Sequence, residues 1–232
     1  MPETVSLSER YAALLAERAR TWPAEQLAGN ARQRRVLVER HDPAAHPAPG
    51  TRLAPFTLLD GHGQPHRSED LLRDGPIVVV FFRFGGCPAC NLALPYYDAT
   101  LWPALQAAGI TLYAVSAQNP VDPGPTERHG LRYATLADPD YALARQLGIT
   151  FFPEDQPPVA PGAPWIGATL GTQSYEMTQP AIVIIDPDHT LRHLAVSPDW
   201  LDRPEADAIL AHLPEVNGAS ALVKTPIDRA LA

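Results

Sequence analysis

Cys87 and Cys90 are the residues of this chain whose type and spacing most directly suggest chemistry. They are its two cysteines and form the motif Cys87-Pro88-Ala89-Cys90. Residues three apart on a helix lie about 5–6 Å apart at Cβ, so a modest adjustment brings two thiols to disulfide geometry. A helix N-terminus favours the thiolate. We therefore predict a reversible disulfide, with Cys87 as the nucleophile of lowered pKa and Cys90 as the resolving thiol.

A strand, a Gly-Gly loop and a helix must position this pair. The segment Ile77 to Phe82 is a continuous apolar run, which is typical of a strand buried on both faces. The loop from Arg83 to Gly86 follows, and Arg83 is a candidate to stabilise a thiolate at Cys87. The helix is expected to begin near Cys87, with Pro88 in its first turn, where the missing N–H has no helical partner to lose.

Strands and helices alternate over the rest of the chain, which predicts an α/β fold with a central sheet. Further strands are expected at residues 110–116 and 132–137, and a hairpin at residues 181–185 and 191–196. Helices are expected at residues 138–147 and 204–213. Residues 151–178, rich in Pro, Gly and Thr, are expected to form a long irregular insertion.

A helical extension precedes this α/β unit. Ser6 and Glu9 match a capping box, which predicts a first helix that ends at Pro23, and a second helix is predicted at residues 24–39. We therefore divide the chain into a helical extension at 1–42, a proline-rich linker at 43–49, an α/β domain at 50–213 and a tail at 214–232.

Composition and charge limit the classes of protein that need considering. The chain has 232 residues and is 45% hydrophobic, which suffices for a buried core, and its net charge of −8 argues against general nucleic-acid binding. No apolar run approaches the ~20 residues that cross a bilayer, and the N-terminus does not resemble a secretion signal. We expect a cytoplasmic protein with no membrane partner, in which paired cysteines are reactive thiols or half of a metal site.

Several residues around the dithiol resemble the thioredoxin fold. The motif Cys87 to Cys90, followed by Pro95, resembles the pattern C-x-x-C-x4-P. Pro180, directly before an apolar strand, resembles the cis-proline that packs against the dithiol in that fold. The resemblance implies a thioredoxin-like fold over residues 50–213 and a cis bond between Gln179 and Pro180.

Two other segments narrow the resemblance to one family. Residues 54–58 with Asp60-Gly61, and residues 137–139, resemble the alkyl hydroperoxide reductase/thiol-specific antioxidant (redoxin) family. The helical extension is similar to that of peroxiredoxin-like proteins with a C-P-x-C site. The resemblance implies a thiol-dependent oxidoreductase that uses Cys87 and Cys90, needs no cofactor or metal, and takes electrons from a cellular dithiol reductant.

Two departures from the family pattern bear on the reaction. Typical peroxiredoxins place Thr or Ser three residues before the peroxidatic cysteine, where this chain has Phe84, and their catalytic Arg precedes the late strand, where this chain has Pro180. Both groups polarise the peroxide, so the sequence favours thiol–disulfide exchange in an antioxidant or redox role, in which Cys87 attacks a disulfide and Cys90 resolves the mixed disulfide.

Two alternatives stay open. In the first, the chain is a thiol-dependent peroxidase that reduces a hydroperoxide, with Cys87 peroxidatic and Cys90 resolving. In the second, it is a non-enzymatic protein, and the C-x-x-C motifs of two copies hold a metal or an iron–sulfur cluster. A homodimer is left open.

Overall fold

The described part of the chain, residues 5–119 and 124–214 of a computed structural model, is built on a mixed sheet of seven strands with helices on both faces. In chain order the strands are β1 (Thr57–Leu59), β2 (Pro65–Arg67), β3 (Ile77–Phe81), β4 (Thr111–Ser116), β5 (Ala134–Ala137), β6 (Thr150–Phe151), β7 (Met177–Thr178), β8 (Ala181–Ile185) and β9 (Leu191–Val196). Seven of them form this sheet, and the other two, β6 and β7, form a separate small sheet. The helices are α1 (Leu7–Thr21), α2 (Ala24–Glu39), α3 (Ser68–Leu71), α4 (Pro88–Thr100), α5 (Trp102–Ala107), α6 (Pro125–His129), α7 (Ala142–Gln146), α8 (Ile166–Leu170) and α9 (Ala206–Leu210).

The strand β3 lies inside the sheet, as its apolar sequence predicts. The strand order is β2-β1-β5-β4-β3-β8-β9, and β3 pairs in parallel with β4 and antiparallel with β8. Every residue of β3 and β8 is buried, because helices cover both faces of this part of the sheet. Phe81, at the end of β3, pairs with Ala181, at the start of β8. The loop to Cys87 therefore leaves the sheet beside the chain that enters β8.

The two helices of the extension are confirmed, and they pack onto the domain. Ser6 caps α1, and its capping box with Glu9 is present. Leu7 and Tyr11 are buried in the same core cluster as Cys87 and Cys90. The extension is thus part of the core on the α4 side of the sheet.

The α/β architecture and the hairpin of β8 and β9 are confirmed, but several predicted segments differ. Residues 151–178 are not wholly irregular, since β7 and α8 lie within them and β6 pairs with β7. The helix expected at 138–147 begins only at Ala142, because the Asp138 carboxylate accepts the N–H groups of Leu143 and Ala144. The linker contains a short 3-10 turn, Pro43–Ala45, and the closing helix is confined to Ala206–Leu210.

For the predicted C-terminal tail and for membrane-spanning helices, only the described residues give information. All but the first residue of the predicted tail at 214–232 lies outside the described residues. In the described part of the chain, no helix combines the length and apolar character that crossing a lipid bilayer requires.

Candidate active site

The two thiols meet at the first turn of α4. Cys87 is the N-cap of this helix and Pro88 is in the first turn, as predicted. The Cys87 sulfur accepts the backbone N–H of Cys90 at 3.4 Å, and both cysteines are free thiols. Cys87 is 2% exposed and Cys90 is 0% exposed, so both cysteines are buried.

A buried arginine that the sequence did not indicate contacts the inner thiol. Arg203 follows β9, is 7% exposed, and donates from Nη2 to the Cys90 sulfur at 3.2 Å. Its Nε donates to the Trp200 carbonyl at 3.1 Å, which fixes the direction of the guanidinium. No local spacing in the sequence connects Arg203 to Cys90, so only the folded chain reveals the contact.

Arg83, which the sequence did indicate, also contacts Trp200, through the ring of that residue. The Arg83 guanidinium carbon is 4.1 Å from the centroid of the Trp200 ring, in a cation–π arrangement. Its Nη2 lies 3.8 Å from the Met177 sulfur, and its backbone N–H donates to the Cys90 sulfur at 3.4 Å. Trp200 therefore holds both arginines, one on its ring and one on its carbonyl.

These contacts reverse the predicted location of the negative charge. Burial opposes ionisation of Cys90, but a hydrogen bond with Cys87 and the charge and hydrogen bond of Arg203 outweigh it and lower the pKa of Cys90 well below its usual value. The hydrogen bond with Cys90 and burial raise the pKa of Cys87. The lowered pKa expected at Cys87 is not found, because the hydrogen bond with Cys90 and burial outweigh the opposing charges of Arg83 and Arg203.

The loop between β3 and α4 is held by hydrogen bonds at Gly85. Its N–H donates to Gln118 Oε1 at 2.8 Å, and its carbonyl accepts from Arg128 Nη1 at 2.7 Å and from Asn91 Nδ2 at 3.2 Å. These bonds fix the direction in which the chain enters α4. Phe84 occupies the position where the family has a hydroxyl residue, so the side chain there offers no hydrogen-bond donor.

Pro180 enters β8 beside the end of β3. The pairing of Phe81 with Ala181 places Pro180 next to the strand end from which the loop to Cys87 leaves. The Pro180 carbonyl accepts the Ser197 N–H at 2.8 Å, and the N–H of Gln179 donates to the Ile149 carbonyl at 2.8 Å. The strand pairing therefore places Pro180 at the end of the sheet from which the loop to Cys87 leaves, and the cis bond stays a prediction.

Metal-ligating side chains do not cluster in the described part of the chain. Among residues 5–119 and 124–214, no group of three or more His, Cys, Asp or Glu side chains is arranged to hold a metal ion. The arrangement at α4 instead joins two thiols to two arginines. This combination can stabilise a thiolate and a developing negative charge on a bound substrate.

The sequence matches one family model. The model of the AhpC/TSA family matches residues 49–194, which include both cysteines, Arg83 and Pro180. No curated protein matched the sequence.

Solved structures of peroxiredoxin type share the fold. Peroxidoxin BcpB from Mycobacterium tuberculosis is 22% identical, with 72% of this chain and 96% of that chain covered and a TM-score of 0.54. Reduced Prx3 from Vibrio vulnificus in complex with H2O2 is 24% identical, with 71% and 97% covered and a TM-score of 0.56. A peroxiredoxin-like protein from Aquifex aeolicus is 15% identical, with 72% and 85% covered and a TM-score of 0.54. At these identities the likeness shows a shared thioredoxin-like fold.

Proposed function

Since the chain belongs to the AhpC/TSA family, we propose that it is a thiol-dependent peroxidase, with Cys87 as the peroxidatic and Cys90 as the resolving thiol. Membership of this family makes the chain a thiol-dependent oxidoreductase. The choice of a hydroperoxide over a disulfide as the substrate is the proposal. The observation that carries it is the hydrogen bond from Arg203 to Cys90, with Arg83 beside it.

The two arginines supply what the sequence seemed to lack. A peroxidase must stabilise the negative charge that develops on the leaving oxygen, and positioned cationic donors do this well in a site that excludes water. Phe84 and Pro180 replace the family's usual donors, which favoured disulfide exchange. Arg83 and Arg203 bring two guanidiniums to the dithiol from other positions in the chain, so the reason for preferring disulfide exchange no longer holds.

Burial of the thiols also favours a small substrate. A disulfide must place one of its sulfurs in line with the attacking thiolate, with bulk on both sides. Cys87 is 2% exposed, so a protein disulfide would require the surrounding chain to open widely. A hydroperoxide presents a terminal oxygen and needs a much narrower approach.

In the first step, Cys87 reduces the peroxide. The Cys90 thiolate accepts the proton of the Cys87 thiol, and the resulting Cys87 thiolate attacks the terminal peroxide oxygen. The S–O bond forms and the O–O bond breaks, which gives a sulfenic acid on Cys87 and an alkoxide. The alkoxide takes the proton from Cys90 and leaves as the alcohol. Arg203 then again holds a thiolate at Cys90.

In the second step, the dithiol closes. The Cys90 thiolate attacks the Cys87 sulfur, the S–S bond forms as the S–O bond breaks, and the departing hydroxide is neutralised to water by one proton from the buffered solvent. The two thiols lose two electrons, which the peroxide has gained. A cellular dithiol then reduces the disulfide, and we propose the cytoplasm as the compartment that supplies it.

The test compares the two substrates directly. The reduced protein is mixed rapidly with hydrogen peroxide and, separately, with hydroxyethyl disulfide, and loss of free thiol is followed in the wild type and in Cys87→Ser. We expect faster oxidation by peroxide, with Cys87→Ser inactive towards it. Faster reaction with the disulfide, or unchanged peroxide consumption in Cys87→Ser, would overturn the proposal.

A further inference from the structure

Three buried or partly buried arginines near the dithiol lack a carboxylate partner. Arg18 is 6% exposed and Arg203 is 7% exposed, while Arg83 is partly buried. Among residues 5–119 and 124–214, none of the three forms an ion pair with Asp or Glu. Each also has one buried nitrogen without a hydrogen-bond partner, namely Arg18 Nη1, Arg83 Nε and Arg203 Nη1. Unsatisfied charged donors in a protein interior are costly unless a ligand satisfies them.

Arg18 comes from the helical extension and lies on the buried face of α1, the face that packs against α4. The buried residues of α1 are Leu7, Tyr11 and Arg18, at spacings of four and seven that put them on one face. Tyr11 donates from its hydroxyl to the Ala89 carbonyl at 3.4 Å, so this face lies against the first turn of α4. The Arg18 guanidinium carbon is 4.5 Å from the centroid of the Trp22 ring, which supports it.

The charges of these groups act on one another. Burial lowers the pKa of Arg18, and negative charge on Cys87 acts in the opposite direction. Arg83 interacts with both cysteines and with both other arginines. One thiolate balances only one of three guanidiniums, so the pocket holds surplus positive charge.

We propose that Arg18 is a substrate-binding residue, and that it binds a carboxylate carried by the hydroperoxide substrate beside Cys87. This inference rests on the proposed function and adds the substrate class, which is an alkyl hydroperoxide bearing a carboxylate. Arg203 and Arg83 act on the thiol and on the leaving oxygen. Arg18 is left to bind the negative group elsewhere on the substrate.

A cleft lined by Trp22, the residue whose ring contacts Arg18, has room for the rest of such a substrate. It measures about 830 Å³ and lies between α2 and residues 148–155. Trp22, the residue that supports Arg18, lines it, together with Phe151 and Gln179. Gln179 directly precedes Pro180, so the cleft extends from the aromatic support of Arg18 to the chain that enters β8. Neither the cysteines nor Arg18 line the cleft, which suits a site for the body of the substrate and not for its reacting end or its carboxylate.

The first experiment measures anion binding without using a peroxide. Cys87 in the full chain is alkylated by iodoacetate and by iodoacetamide, and the ratio of the two rates is obtained from the labelled peptide. A cation beside the sulfur accelerates the anionic reagent selectively. We expect the ratio to fall about tenfold in Arg18→Gln, which corresponds to about 1.4 kcal/mol. The ratio should be retained largely in Arg18→Lys, which keeps the charge.

Arg20→Gln is the matched control, because Arg20 lies on the same helix and is exposed. It should leave the ratio unchanged. An equal fall of the rate ratio in Arg18→Gln and Arg20→Gln would mean that only the overall charge of the surface affects the reaction. An unchanged rate ratio in Arg18→Gln would mean that Arg18 does not face the reacting sulfur. Either result overturns the proposal. If Arg18→Gln does not fold, Arg18→Lys provides the test. An iodoacetate-to-iodoacetamide ratio in Arg18→Lys as low as that of the unfolded protein would also overturn the proposal.

The second experiment tests the substrate class. An alkyl hydroperoxide that bears a carboxylate is compared with its methyl ester. We expect the wild type to prefer the acid about tenfold in kcat/KM, mainly through KM, and Arg18→Gln to lose this preference. Equal rates with acid and ester would overturn the substrate class. A wild type that reduces no peroxide, yet shows the alkylation ratio and its dependence on Arg18, would refute the proposed function and leave the anion site standing.

Discussion

Arg203 Nη2 lies 3.2 Å from the Cys90 sulfur across a sequence separation of 113 residues, and both groups are buried. A hydrogen bond between a cation and a thiolate is among the stronger polar contacts in proteins. Together with the hydrogen bond between the two thiols, it lowers the pKa of Cys90 well below its usual value.

Replacing Arg203 should therefore raise the pKa of Cys90. An opposite charge at this distance lowers a pKa by about 1–3 units, so we expect Arg203→Gln to raise it by a similar amount. The measurement is a pH titration of thiolate absorbance in a Cys87→Ser background, where only Cys90 reports. In the protein with both cysteines, peroxide consumption at neutral pH should fall roughly tenfold or more and recover at alkaline pH.

Arg192→Gln is the control for this experiment. Arg192 lies on β9 and pairs with Asp186 at the surface, at 2.8 Å. Replacing Arg192 should leave the pKa of Cys90 unchanged. A Cys90 pKa that is the same in Arg203→Gln and in the parent would contradict the role assigned to Arg203.

Removing the resolving thiol should stop the reaction after its first half. In Cys90→Ser the Cys87 sulfenic acid has no partner thiol within the chain, so one equivalent of peroxide should be consumed and the sulfenic acid should be trapped by a dimedone-type reagent. Its formation should be slower than in the wild type, because Cys90 also accepts the proton of Cys87. Mass spectrometry of the Cys87 peptide measures both effects. Continued turnover in Cys90→Ser would show that another thiol resolves the intermediate.

The sequence predicted those parts of the site that depend on neighbours in the chain. β3 is evident from an unbroken apolar run, and the start of α4 from Pro88 and the cysteine spacing. The contact of Arg203 depends on how β9 and the following loop return to α4, and no local pattern encodes it. The position of the thiolate depends on that contact, so the sequence-based assignment to Cys87 could not have been corrected without the fold.

Dependence on contacts between distant parts of the chain also explains why β6, β7 and the late start of α7 were not predicted from the sequence. β6 and β7 have two residues each, Thr150–Phe151 and Met177–Thr178, and a period cannot be recognised in two residues. Their pairing brings together residues nearly thirty positions apart, which only tertiary packing can do. α7 starts late because the side chain of Asp138 caps it from a distance of five and six residues, and a cap search confined to adjacent positions does not find this arrangement.

Docking of the extension should contribute measurably to stability. Leu7 is 0% exposed and packs in the cluster that contains Cys90, so Leu7→Ala should lower the free energy of unfolding by about 2–5 kcal/mol. Leu15 lies on the same helix at 37% exposure, and Leu15→Ala should change it by no more than about 0.5 kcal/mol. Urea titration of both variants and the wild type provides the comparison. Equal small effects would show that α1 is not packed on α4.

Acid should weaken the attachment of α1 through Glu205. Its carboxylate accepts the N–H groups of Leu7 at 3.1 Å and Ser8 at 3.0 Å, and also the hydroxyl of Tyr96. Burial opposes its ionisation, but these hydrogen bonds outweigh it and lower the pKa of Glu205. A lowered pKa in the folded state means that this contribution to stability is present above the unfolded pKa and is lost as the pH falls through the folded value.

We therefore expect Glu205→Gln to destabilise the protein at pH about 7 and to match the wild type once the wild-type carboxyl is protonated, below pH about 3. Unfolding free energies at the two pH values measure the difference. Glu39→Gln is the control, because the pair of Glu39 with Arg35 is exposed and contributes little at either pH. A gap between wild type and Glu205→Gln that is unchanged in acid would contradict the assignment.

Two of the three cations near the thiols are encoded outside the segment that contains the thiols, while Arg83 lies within it. The segment that matches the family, residues 49–194, contains both cysteines, while Arg18 precedes it and Arg203 follows it. Recombination that exchanged the two ends would keep the C-x-x-C motif and change the charge around it. Substitutions at Arg18 or Arg203 would thus alter the charge near the thiols with no change in the segment that matches the family model.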